Sequence, residues 1–73
     1  MARKIRVFVE DSRGDGVPGA RVNLYSGEEK RTDSSGIAIF VVETSDVSVY
    51  VDGREAYDGQ TSRVPDPIIF TKR

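Results

Sequence analysis

The sequence predicts an all-β fold, a small Greek-key β-sandwich of about six to seven strands, and three observations carry that reading. Short segments alternate apolar and polar residues with period two, clusters of Gly, Pro, Asp and Ser separate them, and no window shows an amphipathic helical stripe. A chain of 73 residues makes one domain, and at this size folding removes only about 60% of the unfolded chain's surface from water. Hydrophobic residues at 37% and charged residues at 32% suit a soluble domain with a thin core. There is no cysteine, so strand pairing and apolar packing hold the fold without disulfides or thiolate metal sites.

The first strand runs from Lys4 to Glu10, with Ile5, Val7 and Val9 on one face and Lys4, Arg6, Phe8 and Glu10 on the other. Asp11-Ser12-Arg13-Gly14-Asp15-Gly16 is then a loop, rich in residues that cap their own backbone or accept positive φ. Pro18 has no amide donor and belongs before the second strand, in which Ala20, Val22 and Leu24 alternate with Arg21, Asn23 and Tyr25. Ser26-Gly27 turns the chain into a short charged edge strand, Glu28 to Thr32. Asp33-Ser34-Ser35-Gly36 is a second tight turn. In the strand Ile37 to Glu43 both faces are apolar, which predicts a central position in its sheet. Val47 to Asp52 has the cleanest alternation, with three valines on one side. The polar stretch Arg54 to Arg63 has room for one short strand anchored by Ala56 and Tyr57. Val64-Pro65-Asp66-Pro67 is extended, and Ile68, Ile69 and Phe70 form the last strand.

Val7-Phe8-Val9, Asp15-Gly16-Val17-Pro18-Gly19-Ala20-Arg21-Val22-Asn23-Leu24, Thr32-Asp33-Ser34-Ser35-Gly36-Ile37-Ala38-Ile39-Phe40 and the valine strand into Asp52-Gly53 together resemble carboxypeptidase-regulatory-like and CnaB-type domains. These are prealbumin-like, or transthyretin-like, sandwiches, and bacterial Ig-like domains are near neighbours in pattern. The resemblance implies a prealbumin-like or Ig-like sandwich in which Ala38, Phe40, Val47, Val49 and Val51 pack against Ile5, Val7, Val9, Val22 and Leu24. It implies a rigid spacer or a binding accessory rather than a catalyst. CnaB-type domains often carry an isopeptide crosslink from a first-strand lysine to an asparagine or aspartate on the last strand. Here Lys4 lies opposite the core stripe and the last strand has no asparagine, so no crosslink is expected.

Histidine and cysteine are both absent, which removes the common general base, the thiol nucleophile and the usual transition-metal ligands together. Catalytic residues, cofactor-binding residues and metal ligands are accordingly expected to be none, and the chain is not read as an enzyme. Asp11 to Gly16 begins like a calcium loop, but Arg13 places a cation at the third position and Val22 stands where the bidentate glutamate belongs. Arg13-Gly14-Asp15 resembles the integrin-recognition tripeptide, yet a turn calls for the same glycine and aspartate. A net charge of -1 lacks the positive field of a nucleic-acid binder, so no nucleic acid is expected. No segment is long and apolar enough for a membrane span.

A protein partner or self-association is expected instead. If Ala38, Phe40 and Val42 fill the core, then Ile37, Ile39 and Val41 face outward, with Tyr50 added by a neighbouring strand and Phe8 and Tyr25 extending the patch. The competing expectation is that residues 54–64 fold back over this face through Tyr57 and Val64. A carbohydrate ligand stacked on Tyr25, Tyr50 or Tyr57 is the alternative function. Compartment follows from context: cytoplasmic for a complete gene product, extracellular or cell-surface for a piece of a larger protein.

Overall fold

The computed structural model describes residues 2–72. Among these residues seven strands occur in the order β1 (Arg3–Glu10), β2 (Arg21–Leu24), β3 (Glu29–Arg31), β4 (Ile37–Val42), β5 (Asp46–Val51), β6 (Arg54–Gln60) and β7 (Ile68–Thr71), with a 3₁₀ turn at Thr61–Arg63. They form two sheets, β4-β1-β7 and β3-β2-β5-β6. All pairings are antiparallel except β1 with β7. The fold is the all-β two-sheet sandwich that the alternation predicts.

Alternation decides which residues enter the space between the sheets. Ile5, Val7 and Val9 of β1 face Phe40 and Ala38 of β4 and Ile68 of β7. From the other sheet, Val22, Leu24, Val47, Val49 and Val51 close the core, and Phe40 is its largest fully buried side chain. Burying a side chain of this size stabilises the fold by about 1.5–3 kcal/mol, so a few such residues supply most of the driving force in a domain this small. Val64 is buried in the same cluster, while Ala56, Tyr57 and Phe70 pack against its margin.

Turn chemistry fixes how the strands enter the sheets. Asp11 Oδ1 accepts the Arg13 and Asp15 amides at 2.8 and 3.1 Å, and Asp33 Oδ1 accepts the Ser35 and Ile37 amides at 2.8 and 3.0 Å. Gly16 and Gly36 cross so closely that a Cβ on Gly16 would lie 2.1 Å from the Ser35 carbonyl oxygen, and Gly36 also has φ +85°. No other residue fits this crossing. Asp52-Gly53, both at positive φ, makes the two-residue hairpin that joins β5 to β6. The register then shifts between Val49 and Tyr50, leaving Ala56 as an extra residue on β6.

One polar residue holds the elbow before β2. Thr32 is buried, its Oγ1 accepts the Ala20 amide at 2.9 Å and its hydroxyl donates to the Val17 carbonyl. Its own amide donates to the Ala20 carbonyl and its carbonyl accepts the Gly19 amide, each at 3.0 Å. Thr61, likewise buried, donates to the Thr44 carbonyl at 2.8 Å and pins the β4–β5 turn.

The expected central position of β4 is corrected. β1 is the middle strand of the three-stranded sheet and β4 is an edge. Two apolar faces imply a central strand only when a layer covers each face, and among the described residues no layer covers the outside of this sheet.

Candidate apolar face and groove

The outer face of the β4-β1-β7 sheet is built from the residues that alternate away from the core. Phe8 of β1 lies between Ile37 of β4 and Ile69 of β7 in one row across all three strands. Ile39 lies beside Arg6 in the next row and Val41 beside Lys4 in the third. Ile39, Val41 and Ile69 are 40%, 57% and 59% exposed, while Ile37 and Phe8 are half-buried. Residues 54–64 do not fold over this face: β6 pairs with β5 in the other sheet and Val64 enters the core.

Cations flank the apolar row. Arg6 forms a two-pronged contact with Asp66, Nε to Oδ1 at 2.8 Å and an Nη nitrogen to Oδ2 at 3.0 Å. That hydrogen bond, reinforced by the charge, raises the Arg6 pKa and holds the Asp66 carboxyl below its ordinary value. Lys30 reaches across from β3, donates to the Ile39 carbonyl at 2.8 Å and sits 5.6 Å from the centre of the Phe40 ring. Lys4 is exposed on the outer face, away from the core.

Beside the far end of β4 the two sheets part, leaving a groove of about 380 Å³. Val41, Val42, Leu24 and Val47 give it an apolar floor, and Tyr25, 81% exposed, stands on its rim. Glu28, Glu43 and Asp46 line it, with no basic residue among the lining side chains.

The structure brings Ile37, Ile39, Val41 and Phe8 together and separates Tyr50 from them, while Tyr25 shares with Val41 the groove at the far end of β4. Tyr50 belongs to β5, opposite Asn23 and Glu55 on the other sheet, so the expectation that a strand neighbouring β4 supplies it is overturned. Alternation shows which way Tyr50 points along its strand but not which sheet the strand joins. Tyr25 follows β2 and borders the groove, where Val41 is its one neighbour from the apolar face. Ile69 was missed, and its signal was available: in Ile68-Ile69-Phe70 the middle residue must face opposite to its neighbours.

No family model and no curated protein matches this chain. The site is therefore read from its own chemistry. Among the described residues no three acidic side chains converge as a metal site, and no helix is long and apolar enough to cross a membrane. The Asp11 carboxylate is occupied by backbone amides within its own loop, and the Arg13-Gly14-Asp15 tip is exposed. The remaining chemistry of the outer face is burial of apolar surface between cationic margins.

Proposed function

We propose that this chain is a non-catalytic protein-interaction module, in keeping with its resemblance to carboxypeptidase-regulatory-like and CnaB-type domains. The observation that carries the reading is the row Ile37–Phe8–Ile69 continued by Ile39 and Val41, an apolar face over which no strand or loop of the described residues folds. Sheets with one solvated face normally alternate to polar residues there, and contiguous apolar surface is uncommon on a monomer unless a partner covers it. The alternative, a carbohydrate platform, has less support. Tyr25 borders the groove, Tyr50 lies on the four-stranded sheet, and Tyr57 packs against the core with its hydroxyl donating to the Gln60 carbonyl at 2.8 Å. Three rings so dispersed do not offer one stacking plane.

Ile39→Lys tests the reading. Its thermal midpoint is expected to stay within a few degrees of the parent, as for an exposed substitution. Association measured by sedimentation is expected to fall. Unfolding of the variant, or unchanged association, overturns the assignment of this face.

A further inference from the structure

β4 has a backbone edge that its own sheet does not use. Successive residues of an antiparallel strand turn their N–H and C=O groups to opposite sides. In β4 the groups of Ala38, Phe40 and Val42 face β1, where their partners are Val7, Ile5 and Arg3. The groups of Ile37, Ile39 and Val41 face away. Contacts on that side fix the phase: the Ile37 amide donates to Asp33 Oδ1, the Ile37 carbonyl accepts the Asp33 amide at 2.9 Å, and the Ile39 carbonyl accepts Lys30 Nζ. Among the described residues, the Ile39 amide and the Val41 amide and carbonyl meet no hydrogen-bond partner.

Charge is distributed unevenly along this edge. Lys30 marks the Ile39 end. Glu43, with Glu28 and Asp46 around the groove, marks the other end. Val41 lies between them and carries the free amide and carbonyl.

We propose that β4 pairs antiparallel with β4 of a second copy of this chain, with Val41 on the two-fold axis. This rests on the interaction-module reading and adds to it a self-contact at the edge of the same sheet, which leaves the apolar face open. A two-fold axis at Val41 sets Ile39 opposite Glu43 of the second copy. The two Val41 residues exchange both their backbone hydrogen bonds, and the Ile39 amide meets the Glu43 carbonyl. The Glu43 amide takes the Ile39 carbonyl, and the displaced Lys30 ammonium then lies at the acidic end of the other molecule. The same happens twice, once on each side of the axis. A parallel arrangement would bring Lys30 against Lys30 and the carboxylates against one another, so charge selects the antiparallel one. The product is a continuous six-stranded sheet in which the outward stripe of Ile39 and Val41 runs unbroken across both copies. Lysine on an edge strand ordinarily discourages such pairing. Here the guard is one side chain on one carbonyl, and its charge suits the end it would meet.

Sedimentation of the whole chain across about 1 μM to 1 mM tests this, since weak edge pairing appears only toward the top of such a range. A reversible monomer–dimer equilibrium is expected, weakening as salt screens the end-to-end charges. Val41→Pro removes the outward amide and no bond to β1, a change that edge strands tolerate; it is expected to melt like the parent and to lose dimerisation at least tenfold. Ile69→Lys, at the opposite edge of the sheet, is expected to dimerise normally. Lys30→Glu is expected to weaken the dimer and the double variant Lys30→Glu/Glu43→Lys to restore it, which decides the matter should Val41→Pro fail to fold. A chain monomeric throughout the range overturns the proposal. So does loss of the dimer in Ile69→Lys, which would mean that copies meet through the apolar face; that outcome keeps the interaction-module reading while removing edge pairing. Absence of rescue in the double variant overturns the register.

Discussion

At the scale of single residues, polar atoms in the core decide more than their number suggests. Thr32 ties the amide of Ala20 and the carbonyl of Val17 to the end of β3, extending through its side chain the backbone bonds that join β3 to the elbow before β2. Thr32→Val keeps the shape and removes both bonds, leaving a buried amide with nothing to donate to. Chemical denaturation is expected to report a loss of about 1–3 kcal/mol, the cost of an unsatisfied buried group. A loss under about 0.5 kcal/mol would mean that water reaches the Ala20 amide. The sequence offered little sign of this role, because a threonine at the end of the charged edge strand Glu28 to Thr32 reads as solvated surface. What makes Thr32 special is the approach of the 17–20 elbow, a contact across 12 residues or more.

At the scale of strands, the alternating segments were legible and the uniform ones were not. β1, β2 and β5 announced both their existence and their buried faces, because a half-buried strand writes its environment into every second residue. β6 extends over seven residues where only one short strand was expected within Arg54 to Arg63. It is an edge strand with only partial contact to the core, so its residues carry no two-fold pattern. The readable signal lay just before it: Asp52-Gly53 after a valine strand is a two-residue hairpin turn, which requires a strand on its far side. β4 was read with the right faces and the wrong place in the sheet. Its sequence distinguishes inward from outward residues, whereas edge or centre depends on which other strands arrive. The candidate face divided in the same way, Ile37, Ile39, Val41 and Phe8 coming together while Tyr50 joined the other sheet and Tyr25 reached only the groove beside Val41. The inward half of β4 is expected to dominate stability. Phe40→Ala should cost about 3–5 kcal/mol in equilibrium unfolding, comparable with the whole stability of a small domain. A cost under about 1 kcal/mol would remove Phe40 from the core.

At the scale of the molecule, two ion pairs fasten the last strand to the rest. Arg6–Asp66 holds the approach to β7 against β1, and Lys72 Nζ lies 2.7 Å from Asp52 Oδ2, joining the end of β7 to the β5–β6 hairpin in the other sheet. The lysine hydrogen bond lowers the Asp52 pKa, as Arg6 lowers that of Asp66. Both carboxyls thus bind protons more weakly when folded than when unfolded. Their contribution is present above the ordinary aspartate value of about 3.9 and is lost as pH falls through the lowered folded values. The melting temperature is expected to decline below about pH 4 and, in Asp52→Asn and Asp66→Asn, to decline less steeply. Amide exchange in β7 is expected to accelerate first on acidification; uniform acceleration across both sheets would show that these pairs do not act on β7 in particular. The same topology has a consequence in time. β1 is the first strand to be synthesised, yet its two neighbours are β4 and β7, the last of which is the final strand of the fold. At about 5–20 residues per second, the Ile5, Val7 and Val9 stripe leaves the ribosome seconds before its second flank exists. A nascent chain of this protein therefore leaves its first apolar stripe unflanked on one side until its last strand arrives.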